Sequence, residues 1–203
     1  MKTDKFILSG GNSHTLEMAM NRPENGEWNS ELVHEMTQGN ILGQIRQVLL
    51  GHAEIRQREY IVDLDVAPYT PLGWSVEEHH KGGQMKWDPT QIRLHLSDNQ
   101  KNGKVIEGNK LRVEIVKLSG YNANLLDFLY KKENQHLIPE SWKQDEKGNT
   151  RYIYFWGTIY RDAGGYLFVR FLSWVGAGWD WGYYWLDSDW YDFHPAAVPA
   201  SQN

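Results

Sequence analysis

Two short stretches of the 203-residue chain carry side chains that could act on a substrate. In IVDLDV, Asp63 and Asp65 close a hydrophobic run, much as a phosphatase presents a carboxylate nucleophile and a neighbouring acid to phosphate and Mg²⁺. That chemistry also needs a lysine and a later acidic metal-binding cluster, and no paired acidic motif after a second strand appears downstream. Residues i and i+2 of a strand share a face, so two acids on the solvent side of an edge strand give the same pattern. In EEHHKGG, Glu77, Glu78, His79 and His80 offer the carboxylate and imidazole that bind transition metals. Adjacent histidines point different ways and no HExxH spacing is present, so the stretch reads as a polar surface segment. His34, His52, His95, His136 and His194 are scattered, with no serine or carboxylate at a catalytic spacing. GGNS and KGG lack the strand-glycine-helix setting of a phosphate loop. The sequence therefore predicts no catalytic residues, no cofactor and no metal site, calcium included.

Any other site depends on the secondary structure that would hold it. Residues 1 to about 30 are polar and rich in Gly and Asn, which predicts a loosely structured arm, with Asn29 or Ser30 capping the segment after it. From Glu31 to about Arg58, apolar residues recur at helical spacing around Gly39 and Gly43, predicting one broken helix or two short ones. Ile61, Val62, Leu64 and Val66 read as a strand that Pro68 ends. Asp88 and Pro89 predict a first helix near 89–101, stopped by Asn102 and Gly103. The segment KVIEGNKLRVEIVKLSG fits strand and helix periods alike. Leu125, Leu126, Leu129 and Tyr130, behind a cap at Asn122 or Asn124, predict a second helix. RYIYFWGTIYRDAGGYLFVRFLSW holds two aromatic and β-branched runs around RDAGG, a hairpin. Helices segregated from an antiparallel sheet make an α+β domain over 59–203, preceded by a partly helical arm over 1–58.

Composition limits partners. A formal charge of −5 gives no basic field for phosphate backbones, which argues against nucleic acid. No cysteine is present. Phe6, Ile7 and Leu8 are too short an apolar run for a signal-peptide core or a membrane span, so a cytoplasmic location is the default and export would need another route.

The end of the chain differs from the rest. FLSWVGAGWDWGYYWLDSDWYDFHP, residues 171–195, holds five of the ten tryptophans and no Lys, Arg, Glu, Gln or Met. Lys, Glu, Gln and Met make up 40 of residues 1–170, so 25 residues at that rate would hold about six. Part of the tail must be a buried aromatic sheet, since Trp179 and Trp181 share a face. Between the tryptophans stand Ser, Val, Ala, Asp, Gly, Tyr, Phe and His, a mixture that suits a binding surface of stiff rings and adaptable polar groups. Every non-Trp residue from Phe171 to Pro195 can also be written with a codon ending in a pyrimidine. Randomising the first two bases of an Asn codon such as AAC would produce that pattern.

At these residues the chain resembles a known group. VEEHHKGGQMKWDPTQIRLHLSDNQKNGKVIEGNKL, NANLLDFL, HLIPESWK, FWGTIYRD and the frame VRFLSWVGAGWDWGYYWLDSDW are similar to proteins of candidate-phylum bacteria, especially Parcubacteria. Their C-terminal frames resemble the variable proteins of diversity-generating retroelements. The likeness covers about Tyr60 to Ser201, and it departs from better-known variable proteins in ending HPAAVPASQN rather than Gly-Phe-Arg. It implies a C-type-lectin-like domain of two helices and a small antiparallel sheet. It also implies a non-enzymatic protein whose C-terminal codons an error-prone reverse transcriptase rewrites at template adenines. The implied ligand is a protein or another cell-surface group, and the alternative is an invariant lectin that stacks Trp and Tyr on sugars. On this resemblance Trp174, Trp179, Trp181, Trp185, Leu186, Trp190 and Pro195 are framework. The implied contact positions are Phe171, Ser173, Val175, Ala177, Asp180, Gly182, Tyr183, Tyr184, Ser188, Asp189, Tyr191, Asp192, Phe193 and His194. Asn122, Pro139, Trp142, Trp156 and Gly157 are implied to be structural.

Overall fold

The computed structural model describes residues 10–55 and 58–200, and the apolar run Phe6–Leu8 lies outside them. The chain divides into two compact units, Met1–Arg58 and Glu59–Asn203. In the first unit, α1 (Gly10–Met20) replaces the loose arm expected there. Asn29 caps α2 (Ser30–Met36), its side-chain oxygen accepting from the Leu32 amide at 2.9 Å. Gly39, at φ +58°, breaks the path before α3 (Ile41–Leu49), so the glycine-interrupted pattern resolves as two helices. No residue of these three helices is buried. Among the described residues no helix is long and apolar enough to cross a membrane.

The second unit is α+β. Its strands are β1 (Ile61–Asp63), β2 (Ser75–His79), β3 (Gln84–Lys86), β4 (Ile92–His95) and β5 (Ile106–Glu107), then, after the helices, β6 (Tyr152–Tyr154), β7 (Thr158–Arg161), β8 (Leu167–Trp174), β9 (Trp179–Trp185), β10 (Asp189–Trp190) and β11 (Ala196–Pro199). The helices between are α4 (Gly108–Val116) and α5 (Ala123–Tyr130). Seven strands join in one sheet, ordered β2-β7-β8-β6-β11-β4, with β9 on the other side of β8. It is larger than the small sheet expected and mixed, since β11 runs parallel to β6 through Ala196 and Tyr154. β1 with β3 and β5 with β10 form two separate ribbons.

The helix expected over 89–101 is not formed. Asp88 and Pro89 do start a turn, with the Asp88 side chain accepting from Thr90, but the turn ends at Gln91. Ile92 and Leu94 then pair with Pro199 and Ala197 of β11, and a second single turn stands at Asp98–Gln100. A strand partner a hundred residues away overrides the local helix signal. The ambiguous segment becomes α4, with Leu111 and Ile115 one turn apart in the core. Of the two caps the sequence offers, Asn122 is the one that caps α5, accepting from the Asn124 amide, and RDAGG closes the β7–β8 hairpin through Asp162, whose side chain accepts from the Tyr166 amide at 2.9 Å.

The alternation of strand side chains builds a three-layer core. On one face of the sheet, Leu125, Leu126 and Leu129 of α5 pack with Ile153, Leu172, Trp179 and Ala197. On the other, Leu111 and Ile115 of α4 pack with Tyr154, Ile159, Val169, Trp190 and Val198. Each such aliphatic side chain contributes about 1.5–3 kcal/mol by leaving water.

Candidate functional site

Both stretches that suggested chemistry turn out to hold the fold together. Asp63 accepts from the Asp65 amide at 2.9 Å, and Asp65 from the Gly83 amide at 2.8 Å. Glu77 takes a two-pronged pair from Arg161 at 2.8 and 2.9 Å, which holds its carboxyl below the usual range, and Glu78 pairs with Arg112. His79 meets Thr158 Oγ1 at 2.8 Å and the Leu64 carbonyl at 3.2 Å through opposite ring nitrogens. The Asn122 amide donates to the carbonyls of Leu64 and His80, and Asn124 to those of Asp63 and Val66. IVDLDV, EEHH and NAN thus form one connected junction above α5. Gly157 is part of it, since a Cβ there would come within 2.6 Å of the Gly120 carbonyl. Among the described residues no group of three or more His, Asp and Glu could hold a metal.

The tail is a different construction. β8 and β9 pair in register from Phe168 with Trp185 to Trp174 with Trp179. Paired residues share a face. Trp174, Trp179, Trp181, Tyr183 and Trp185 therefore lie on the α5 side, and Phe171, Ser173, Asp180, Gly182 and Tyr184 on the α4 side. One side-chain amide fixes the start of β9: Gln135 accepts from the Trp179 amide at 3.1 Å and donates to its carbonyl at 3.2 Å.

The fourteen implied contact positions divide by exposure. Val175, Ala177, Asp180, Tyr183, Asp189 and Tyr191 are exposed, and Phe171, Gly182, Tyr184, Ser188, Asp192 and Phe193 are half-buried. Ser173 and His194 are buried, each 6% exposed, so neither presents a surface to a ligand. Ser173 falls on the α4 side of a strand flanked by neighbours at both edges, β6 and β9. Among the implied framework residues Trp179, Leu186, Trp190 and Pro195 are buried, and Trp174 and Trp181 half-buried. Trp185 departs from that role: it is 53% exposed, because the core under α5 takes in Trp179 and Trp181 but stops short of it. Gly182 is constrained too, since a Cβ there would approach the Phe171 ring to 2.5 Å. Its side-chain identity is tied to that of Phe171 across the strand pair.

His194 sits in a cage of rings. Tyr152, Tyr154, Tyr184, Trp190, Tyr191 and Phe193 all lie 4.5–5.7 Å from it between centroids. Desolvation in that cage lowers its pKa to about 4, with Asp192 opposing weakly, so the imidazole is neutral at pH 7. Gln100, buried and part of a capping box with Ser97, donates to the carbonyls of Tyr191 and His194 and pins this turn.

Arg170 is the functional-looking residue that sequence reasoning passed over. It is 1% exposed, pairs with Asp127 at 2.8 Å and lies 4.2 Å from the Trp181 ring centroid and 5.4 Å from that of Tyr69. The Tyr160 hydroxyl beside it donates to the Tyr69 carbonyl at 3.0 Å. The guanidinium thus braces the underside of β9, sandwiched by aromatic faces as cations prefer. The alternation of β8 assigns Arg170 to a core face, and that buried arginine after an aromatic run was the available signal.

Along β9 and the 175–177 turn the second unit exposes aromatic and acidic side chains, Tyr183, Trp185 and Asp180 among them. No known protein family matches the chain, and no curated protein or solved structure matches it either.

Proposed function

We propose that this chain is a non-enzymatic ligand-binding protein whose C-terminal surface makes the contact. We propose further that the codons of that surface are diversified by a retroelement and that its α+β unit is a C-type-lectin-like domain. The observation that carries the reading is the outward display of Tyr183, Trp185 and Tyr191, which are 50%, 53% and 38% exposed. Large rings held out on a paired strand lose little entropy on contact and supply binding hot spots. Asp180, on the opposite face of β9, and Asp189 favour a basic or hydrogen-bonding partner. The contact set this supports is Val175, Ala177, Asp180, Tyr183, Asp189 and Tyr191, with Trp185 added from the framework and Ser173 and His194 withdrawn.

Deep sequencing of the 3′ end of the gene in its native population tests the reading. The expected result is substitution at the exposed positions, tracking adenines in a nearby template copy beside a reverse-transcriptase gene, with Phe171 and Gly182 changing together. An identical tail in every read would overturn diversification. A glycan-array signal abolished by Trp185→Ala would then establish the invariant lectin.

A further inference from the structure

We infer that the outer edge of β9 takes up an extended basic peptide as an added strand. The inference rests on the proposed reading that this surface binds ligands, and it names the class of ligand and the manner of contact.

Strand parity decides which backbone groups are free. Leu186 donates to the Leu167 carbonyl at 3.0 Å, and Val175 to the Gly178 carbonyl at 3.0 Å. In the antiparallel β8–β9 pair, the even-numbered residues of β9 therefore aim their N–H and C=O at β8 and the odd-numbered ones aim away. The Gln135 amide on both polar groups of Trp179 agrees with that parity. Among the described residues β8 is the only strand paired with β9, so the outward groups face no strand.

Some of those groups are already satisfied. The Trp181 amide donates to the Asp180 carboxylate at 2.8 Å, and the Trp185 carbonyl accepts from Ser188 at 3.3 Å. Among the described residues the Trp181 carbonyl, both polar groups of Tyr183 and the Trp185 amide remain without a hydrogen-bond partner. These four are the set that one antiparallel strand centred opposite Tyr183 would satisfy, with four hydrogen bonds over five residues. The window is bounded by Gln135 at one end and the Ser188 turn at the other. Edges left this open on a stiff, aromatic strand are templates for added chains unless something blocks them, and no Lys, Arg or Pro stands in β9 to do so.

The side chains specify the occupant. Residues opposite one another share a face, so those opposite Tyr183 and Trp185 would meet exposed rings on the α5 side. Those between would meet Gly182, Tyr184 and Asp180 on the other. Tyr184 brings Asp189 to the same side, its hydroxyl meeting the Asp189 carbonyl at 3.4 Å. Lys147 already holds Asp192 at 3.2 Å, whereas no cation among the described residues pairs with Asp180 or Asp189. From Phe171 to Pro195 there is no Lys or Arg. The complement is an extended segment in which apolar residues, facing Tyr183 and Trp185, alternate with Lys or Arg facing the acids.

The probe is an acetylated, amidated decapeptide of alternating valine and lysine, titrated into the full chain by fluorescence anisotropy and by NMR amide exchange. Binding should protect the amides of Tyr183 and Trp185 and weaken about tenfold when salt is raised from low to high ionic strength. The valine–glutamate analogue should not bind. Because valine stands opposite Tyr183, methylating the valine amides should abolish binding, while methylating the lysine amides should leave it within about twofold. Equal binding of the two methylated peptides would overturn strand addition yet leave the surface a ligand-binding one. No saturation at millimolar peptide, or Tyr183 protection that rises with protein concentration in its absence, would overturn the inference, the latter by assigning the edge to a second copy. Diversification stands or falls separately, by sequencing.

Discussion

Residues 179–185 and 189–195 are both rich in Trp, Tyr and Asp, yet β9 turns Tyr183 and Trp185 out to solvent, whereas the later segment buries Trp190 and His194, half-buries Phe193 and leaves only Tyr191 of its rings exposed. The contrast is one of cover. β9 is a strand end that α5 overlies at Trp179 and Trp181 and leaves bare at Tyr183 and Trp185. The later segment is enclosed by Tyr152, Tyr154 and the α4 core, with Gln100 holding its carbonyls from inside. Aromatic composition alone therefore does not separate framework from display. The position of each residue beneath a helix does.

Tryptophan truncation puts the greatest load on that contrast. Trp190, fully buried and within 4.3–5.6 Å of Tyr154, Trp156, Tyr184 and His194, should lose about 4 kcal/mol of stability on Trp190→Ala. Trp185→Ala, half out in solvent, should cost under about 1 kcal/mol. Urea unfolding of both variants measures the gap, and equal losses would mean the two regions are not built differently.

The second effect is set by pH. His194 has a folded pKa of about 4 against an ordinary 6.5, so between those values the unfolded chain binds more protons than the folded one. Stability from keeping this ring neutral is complete above about pH 6.5, falls as pH drops towards 4 and levels off below. The full difference is about 3 kcal/mol. Carboxylates such as Glu77 and Asp145, whose pKa values are lowered by hydrogen bonding to Arg161 and Asn149, add their own loss at lower pH. The difference between wild type and His194→Gln therefore isolates the cage. Its stability slope from pH 7 to 4.5 should flatten in the variant, and NMR should find the native imidazole titrating near 4.

How much of this was legible in the sequence depends on how far each signal reaches. The α5 cap at Asn122 and the RDAGG turn act over a few residues and could be read directly. β4 could not, because the partner that makes it a strand, β11, lies a hundred residues on. On β9 the alternation of faces was legible, which put Trp179 and Trp181 together. The length of strand that α5 covers was not, since it depends on packing, and so Trp185 came out of the framework. His194 and Ser173 went the other way for the same reason, and Arg170 carried no local signal beyond its place in an aromatic run.

The smallest effect lies within β9 itself. Gly182 is directly across from Phe171, whose ring occupies the space a Cβ would need, so this exposed-looking strand is held to its neighbour at one point. Gly182→Ala should cost about 2 kcal/mol, because the ring must tilt towards Tyr152 and Tyr154, both 5.1 Å away. Phe171→Ala frees that space, so the double variant should be more stable than the sum of the singles predicts, by about 1 kcal/mol or more. Additivity in the cycle would show that the ring moves aside freely and that position 182 can vary on its own. Coupling would mean that any repertoire at this surface must change the two together, one side chain opening the room the other fills.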